Sequence, residues 1–268
     1  MSLPAIEIFA IGTELILGRV QDTNFHWLTQ RLTELGGNLR RVTMLTDDEP
    51  DLLAALGEAL TRGTEVIITM GGLGPTADDR TVATVAKLLG RGTYQHEPTV
   101  RQYMQRRELT DRSQVTPGLL KMATVPDNAE VFNNPEGWAP CIHLTTDRSH
   151  IFILPGPPRE LTSLFPLAVA PFLRELFTGF SATRRVYVEA FESEIAPIFE
   201  ELMEQYPRTY MKAMIAKKME NPEQGLPVDL VATGDDEAAA RATMEALLDE
   251  FQQRLWTLRK TLLDAPTL

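Results

Sequence analysis

Apolar residues follow two rhythms along this chain. Short unbroken apolar runs read as buried strands, and longer stretches with apolar residues at helical spacing read as amphipathic helices. The run Ile6 to Gly12 is a buried strand ended by glycine, and Thr13 to Gly18 follows as a loop or short turn. Asp22 is placed to cap a helix from about Thr23 to Leu35, with Phe25, Leu28, Leu32 and Leu35 along one stripe. Gly36 and Gly37 stop it. Leu39 to Leu45 is a second strand. Asp48 can cap a helix carrying Leu52, Leu53, Leu56 and Leu60, which Gly63 ends. Glu65 to Met70 is a third strand, and another helix runs from about Thr81 to Leu89. This order predicts an α/β fold, a doubly wound and mostly parallel sheet. In such sheets ligands bind beyond the carboxyl ends of the strands.

Further on, Glu97 starts a helix with Val100, Tyr103 and Met104, and Arg106 to Thr116 is a polar surface connection or lid. Short strands at Ala129–Phe132 and Cys141–Thr145 flank a loop from Asn133 to Pro140. Ile151 to Leu154 is another strand. The prolines of Pro155-Gly156-Pro157-Pro158 preset the helix from about Arg159 to Phe177, which Pro166 and Pro171 kink. Gly179 to Thr183 reads as a boundary. Beyond it, Arg184–Phe191, Tyr210–Ala216 and Val228–Thr233 are strands, with Ser193 and Asp235 as caps of two helices. The expectation is two domains, residues 1–178 and a small α+β domain at 182–260.

One stretch concentrates candidate chemistry. The third strand runs into Gly71-Gly72-Leu73-Gly74-Pro75-Thr76-Ala77-Asp78-Asp79-Arg80-Thr81. Glycines let backbone N–H groups approach a ligand, and the following helix presents its positive end to the same place. Two aspartates there suit a divalent metal or a general base. The bland alternative is a strand-to-helix turn in which Asp79 is a helix cap. Gly12-Thr13-Glu14 and Asp47 stand at two other strand ends of the same edge, which raises the functional reading. Asp47 could equally cap the next helix, Asp78 needs only the helix dipole to explain it, and Glu14 is either a metal ligand or a brace of the glycine loop.

Composition narrows the partners. Of 268 residues, 43% are hydrophobic, and the formal net charge is −11, which argues against duplex nucleic acid. The single cysteine, Cys141, fits a reducing, cytoplasmic location, and reads as a buried or half-buried thiol. Neither a signal peptide nor an apolar run of membrane-spanning length is apparent. The four histidines lack metal-ligand spacing.

Gly12-Thr13-Glu14-Leu15, Asp22-Thr23-Asn24, the glycine–aspartate motif ending at Thr81, and Leu154-Pro155-Gly156-Pro157-Pro158-x-Glu160 occur in this order. Together they resemble the N-terminal domain of the CinA (competence/damage-inducible protein A) family, within the MoaB/Mog-like molybdopterin-binding superfamily. The similarity covers roughly residues 5–178, and the downstream segment is similar to a small KH-type domain. The chain has no room for the family's C-terminal amidohydrolase domain. The KH-like segment lacks the Gly-x-x-Gly loop of nucleic-acid binders, which makes it structural or dimer-forming.

The resemblance implies a phosphorylated nucleotide-like or pterin-like ligand. It also implies metal-dependent hydrolysis of ADP-ribose with Mg or Co, potassium support, and a homo-oligomer (dimer or trimer). Asp79 and Asp47 match the family's important aspartates. Gly71, Gly72 and Gly74 match its ligand-cradling glycines, and Gly12, Thr13, Thr76 and Thr81 lie in the same motifs. Asp79, Asp78, Asp47 and Glu14 are the expected metal ligands. The family's polar Asn-x-x-Gln and Gly-Thr-Ala-Pro-Gly positions carry Leu119, Met122, Trp138 and Cys141 here. These changes favour a second reading, a non-catalytic pterin- or nucleotide-binding protein. Trp138 is then either core or a platform for a flat ring.

Overall fold

The computed structural model describes residues 4–177, 179–220 and 225–263. Its contacts divide the chain into two units, Met1–Leu32 with Gly37–Leu176, and Thr33–Gly36 with Phe177–Leu268.

The first unit is built on β1 (Ala5–Ile11), β2 (Asn38–Leu45), β3 (Val66–Met70), β6 (Glu130–Phe132), β7 (Cys141–Thr145) and β8 (His150–Leu154), after a two-stranded pair β4 (Thr93–Gln95) and β5 (Thr124–Pro126). The six-stranded sheet has the order β2-β1-β3-β8-β7-β6. β1 pairs in parallel with β2 and β3, and β3 with β8. β7 and β6 then run antiparallel to their neighbours. Every residue of β3 is buried, as expected of a strand covered on both faces. On one face Phe9, Ile11, Ile67, Ile151 and Ile153 pack with Leu52, Leu56 and Val85. Those three come from α3 (Glu49–Thr61) and α4 (Thr81–Leu88).

Two helices precede β2. Thr13–Ile16 is a one-turn helix, α1, rather than an open loop. In α2 (Asn24–Glu34), Leu28 and Leu32 are the buried pair, and Asp22 Oδ1 accepts from the N–H groups of Asn24 and Phe25 at 2.8 and 3.1 Å. After β4 come α5 (Glu97–Arg106) and α6 (Pro117–Met122). They enclose a small cluster of Val100, Tyr103, Val115, Leu119 and Ala123. The polar connection between them is pinned by a capping box on Asp111 around Arg112–Gln114. The helix after β8 is three pieces: α7 (Pro158–Leu164), a π-helical turn Phe165–Val169, and α8 (Ala170–Leu176). Pro166 lacks an N–H, and the wider turn absorbs the missing bond.

One buried acid braces the first unit. Glu7, 3% exposed, takes two bonds from Arg62, Nε at 3.0 Å and Nη2 at 2.7 Å, and one from the Thr64 hydroxyl at 2.7 Å. Burial works to raise its pKa, but the bonds from Arg62 and Thr64 and the charges of Arg62 and Arg41 outweigh it and lower it. Elsewhere, His143 stacks on Phe152 at 4.2 Å and its Nε2 lies 3.2 Å from His150 Nδ1.

The second unit is an α+β arrangement. Its sheet, β10-β11-β9-β12, is antiparallel. The strands are β9 (Phe180–Val188), β10 (Thr209–Ala213), β11 (Leu226–Gly234) and the short β12 (Leu262–Leu263). α9 (Glu192–Gln205) and α11 (Glu237–Thr257) pack Ile195, Phe199, Leu202, Leu247 and Phe251 with Val188, Met211 and Leu230. α10 (Ile215–Glu220) lies between β10 and β11. Three sequence expectations are corrected here. β9 ends at Val188 rather than Phe191. Ser193 lies inside the first turn of α9, where Glu194 accepts from the Phe191 N–H at 2.7 Å. Asp236, not Asp235, caps α11, through the Ala239 N–H at 2.7 Å. Asp235 instead pairs with Arg208 at 2.6 Å. Among the described residues no helix is long and apolar enough to cross a membrane.

Two predictions follow from these contacts. Arg62→Met leaves the Glu7 carboxylate buried without its cation and should cost about 3 kcal/mol, the lower end for a broken buried pair because Arg62 is itself partly exposed; urea unfolding measures it. Burial, and then the neighbouring His143, lower the pKa of His150. The unfolded chain therefore takes up that proton first, below about pH 6.5. Stability should fall as pH drops through that value, and His150→Phe should flatten that fall in melting curves.

Candidate functional site

The site begins where β1 and β3 end side by side. The chain leaves β1 toward β2 on one flank and leaves β3 toward the other, so this junction is the topological switch point of the sheet. The ladders continue one rung past the strands, with Gly12 N–H donating to Leu45 O and Gly71 N–H to Leu154 O, both at 3.0 Å. Gly71 has φ +101°, and a Cβ there would sit 2.1 Å from the Ile11 carbonyl oxygen. Gly72 has φ +67°, and its Cβ would lie 2.1 Å from Thr81 Oγ1. Only glycine meets both demands. Thr81 is buried and does not line the cleft; its hydroxyl donates to Gly71 O at 2.9 Å and its N–H to Gly72 O at 3.2 Å. The start of α4 is thus bolted to the end of β3.

Beyond this edge opens a cleft of about 500 Å³. Gly12, Glu14, Asp47, Gly71, Gly72, Gly74, Asp78 and Asp79 line it, and the sheet edge brings them together as the motifs suggested. Thr13 and Thr76 act behind the acids. Asp47 Oδ2 accepts from the Thr13 N–H at 2.8 Å and its hydroxyl at 2.9 Å. Asp48, not Asp47, caps α3, at 3.3 Å from the Asp51 N–H, which leaves Asp47 for the cleft. Asp79 does not cap α4: the cap residue is Arg80, without a side-chain bond. Asp79 Oδ2 instead accepts from the Thr76 N–H at 2.9 Å and lies 2.6 Å from Thr76 Oγ1. The same hydroxyl also touches Asp78 Oδ1, so its one proton serves one acid at a time. The Thr76 hydroxyl, then the Asp78 amide, then the Lys121 and Arg80 charges hold the Asp78 carboxyl below the usual range. Gly74 makes room for this arrangement, since a Cβ there would stand 2.5 Å from Asp79 Oδ2.

Asn24 and Glu160 also line the cleft, beyond the residues that the motifs singled out for chemistry. Antiparallel β7 runs against β8, so the loop entering β7 arrives at the same edge as the parallel strands' exits. In that loop Asn134 is fully buried. Its Oδ1 accepts from Glu136 and Gly137 N–H at 3.0 and 2.8 Å, and its Nδ2 donates to Ala139 O at 2.9 Å and to Glu160 Oε2 at 2.6 Å. Burial raises the Glu160 pKa; Asn134, the Trp138 amide and Arg106 oppose it without cancelling it. A Cβ on Gly137 would collide with this carboxyl at 2.0 Å. The available signal for Glu160 was its place in the first turn of the helix that follows the Pro-Gly-Pro-Pro turn.

The four departures from the family pattern fall mostly outside the cleft. Leu119 is in the cluster with Tyr103. Cys141 is fully buried, and burial pushes its thiol pKa up. Trp138 packs edge-on to Tyr103 at 5.4 Å, with Arg107 over its ring at 4.9 Å, so it serves packing. Of the four, Met122 alone lines the cleft.

The electrostatics are one-sided. Glu14, Asp22, Asp47, Asp78, Asp79 and Glu160 line the cleft, and among the described residues no Lys, Arg or His does. Yet among the described residues no three acids, histidines or cysteines stand close enough to form a ready metal cage. The oxygen donors suit a hard cation that keeps waters and shares a ligand's phosphate.

The chain matches known proteins over this same region. Residues 7–175 fit the model of a family described as a probable molybdopterin binding domain. A protein from Pyrobaculum calidifontis is 34% identical over 252 residues, covering 93% of this chain and 95% of that protein. A CinA-like protein from Kosmotoga olearia is 40% identical over 173 residues, 63% of this chain and 41% of its own. One from Myxococcus xanthus is 31% identical over 260 residues, 94% of this chain and 59% of its own. The chain thus spans about half the length of these CinA-like relatives. A crystal structure of CinA from Thermoplasma acidophilum, a protein of unknown function, aligns with a TM-score of 0.57 at 30% identity, covering 62% of this chain and 95% of that one. The chain therefore belongs to the family of the probable molybdopterin binding domain, as a CinA-family protein of MoaB/Mog-like fold.

Proposed function

We propose that the cleft binds a phosphorylated nucleotide or pterin as its complex with a divalent cation, and that the protein hydrolyses a nucleotide-type pyrophosphate such as ADP-ribose. The observation that carries this reading is the lining of six carboxylates set around a glycine junction, with no basic residue among the described ones. A bare phosphate would be repelled there, whereas Mg or Co between phosphate and carboxylates reverses the sign of the interaction. Asp79, Asp47, Asp78 and Glu14 are the residues that would hold the cation. Bound there, it would supply Lewis-acid polarisation of the phosphoryl oxygens.

The chain's own groups do the rest. Thr13 and Thr76 each occupy one oxygen of Asp47 and Asp79, leaving Oδ1 of each side chain without a hydrogen bond from these threonines. The two carboxylates are thereby oriented before a ligand arrives. Asp79 is the residue to accept a proton from an attacking water. Glu160, whose pKa burial raises, lines the same cleft as these carboxylates. A binding-only reading is favoured by one observation, the apolar Met122 in the lining of the cleft.

Product formation from ADP-ribose with Mg or Co should be readily detected for the wild type and fall about a hundredfold or more in Asp79→Asn, the scale of losing general-base assistance. Wild type without turnover, yet stabilised against heat by ADP-ribose or a pterin phosphate, would leave binding alone. In either case, chelating the cation should weaken ligand-induced stabilisation about tenfold or more in effective affinity, read as the ligand concentration giving half the shift in melting temperature.

A further inference from the structure

The loop that carries Asp78 and Asp79 is held from behind by one cation. Lys121, in the last turn of α6, directs its ammonium at three backbone carbonyls of that loop. It donates to Asp79 O at 2.8 Å, to Gly74 O at 3.4 Å and to Thr76 O. An ammonium has three N–H donors and no acceptor, so these carbonyls use its whole capacity.

This is an unusual use of a lysine in the molecule. Lys87, Lys212 and Lys260 pair with the carboxylates of Glu49, Glu192 and Glu194. The hydrogen bonds of Lys121 go to carbonyl oxygens, although Asp78 and Asp79 are in the very loop it grips. Packing enforces the approach. A Cβ on Gly118, one turn earlier on α6, would lie 2.9 Å from Pro75 Cβ, so this helix sits as close to the loop as a glycine allows. The loop consequently has two sides. Its carbonyls turn to Lys121, while Thr76 Oγ1 gathers the Asp78 and Asp79 carboxylates where they line the cleft.

We propose that Lys121 is the positioning residue of the acid loop. Its tethered ammonium fills a three-carbonyl cage with the chemistry of a monovalent-cation site, and so sets where Asp78 and Asp79 stand. What the loop is positioned for rests on the function proposed above; the clamp itself does not.

If the ammonium is a tethered ion, a free one can take its place when the side chain is cut away. Lys121→Ala empties the cage, and hydrogen exchange of the amides of residues 74–81 should quicken about tenfold or more, as local opening becomes easier. Ammonium or methylammonium chloride should reverse at least half of that change relative to choline chloride at equal ionic strength, while the wild type responds to none of these salts. Lys121→Gln keeps the first half of the stem and loses the charge; it should show the same fast exchange and carries the test if Lys121→Ala does not fold. Exchange unchanged in both variants overturns the proposal. So does fast exchange that neither cation slows in Lys121→Ala, because that is what a plain packing role gives. For Lys121→Gln alone, slow exchange overturns it. No ligand enters this measurement, so a failure of ADP-ribose turnover leaves its outcome intact.

Discussion

The close approach of Gly71 to the Ile11 carbonyl is the constraint on which the rest of the site depends. Two parallel strand ends meet with no space for a methyl group between them. The backbone then turns at positive φ through Gly71 and Gly72, and the Thr81 hydroxyl closes the turn onto Gly71 O at 2.9 Å. Where α4 begins, and with it the acid pair just before it, is settled by that contact. These glycines serve geometry first. The Gly71 N–H is spent on Leu154 O, so that amide extends the ladder.

Charge works against this tight packing. Six carboxylates line one cleft, and like charges at such range are unfavourable unless something organises them. Local donors take up part of that burden: Thr13 on Asp47, Thr76 on Asp79 and Asp78, Asn134 and the Trp138 amide on Glu160. Each donor is itself anchored in a turn or a loop. The acids of the cleft are thereby oriented by the chain's own donors.

The parallel half of the fold was legible because β1, β3 and β8 are short apolar runs closed by glycine or proline. The glycine–aspartate stretch announced the site for the same reason, and Asp47 and Glu14 follow from their places at strand ends. What was not legible came from long-range pairing. Nothing local distinguishes Cys141–Thr145 as antiparallel, and with that reversal unseen, Asn134 could not be placed at the edge of the glycine loop. Comparison with the family pattern left the substitutions at Leu119, Trp138 and Cys141 open between ligand contact and core. The structure decides for the core: the chain folds Leu119 and Cys141 inward and lays Trp138 on Tyr103. The cap one residue out at Asp236, and the Glu194 bond back to Phe191 in place of a Ser193 cap, reflect competition among neighbouring polar side chains that only the final backbone decides.

The antiparallel β6–β7 pair has a consequence for how such a protein can change over generations. The floor of the cleft is made where parallel strands exit, and altering it means moving β1, β3 and β8 together. The wall from Asn133 to Pro140 is a hairpin connection at the end of the sheet, tied back through Arg106 to the carbonyls of Asn134, Pro135 and Gly137. Loops of that kind accept new residues and new lengths with little effect on the elements they join. Selection can thus rewrite the wall while the floor stays as it is, and a single inherited edge becomes the starting material for ligands of different shape.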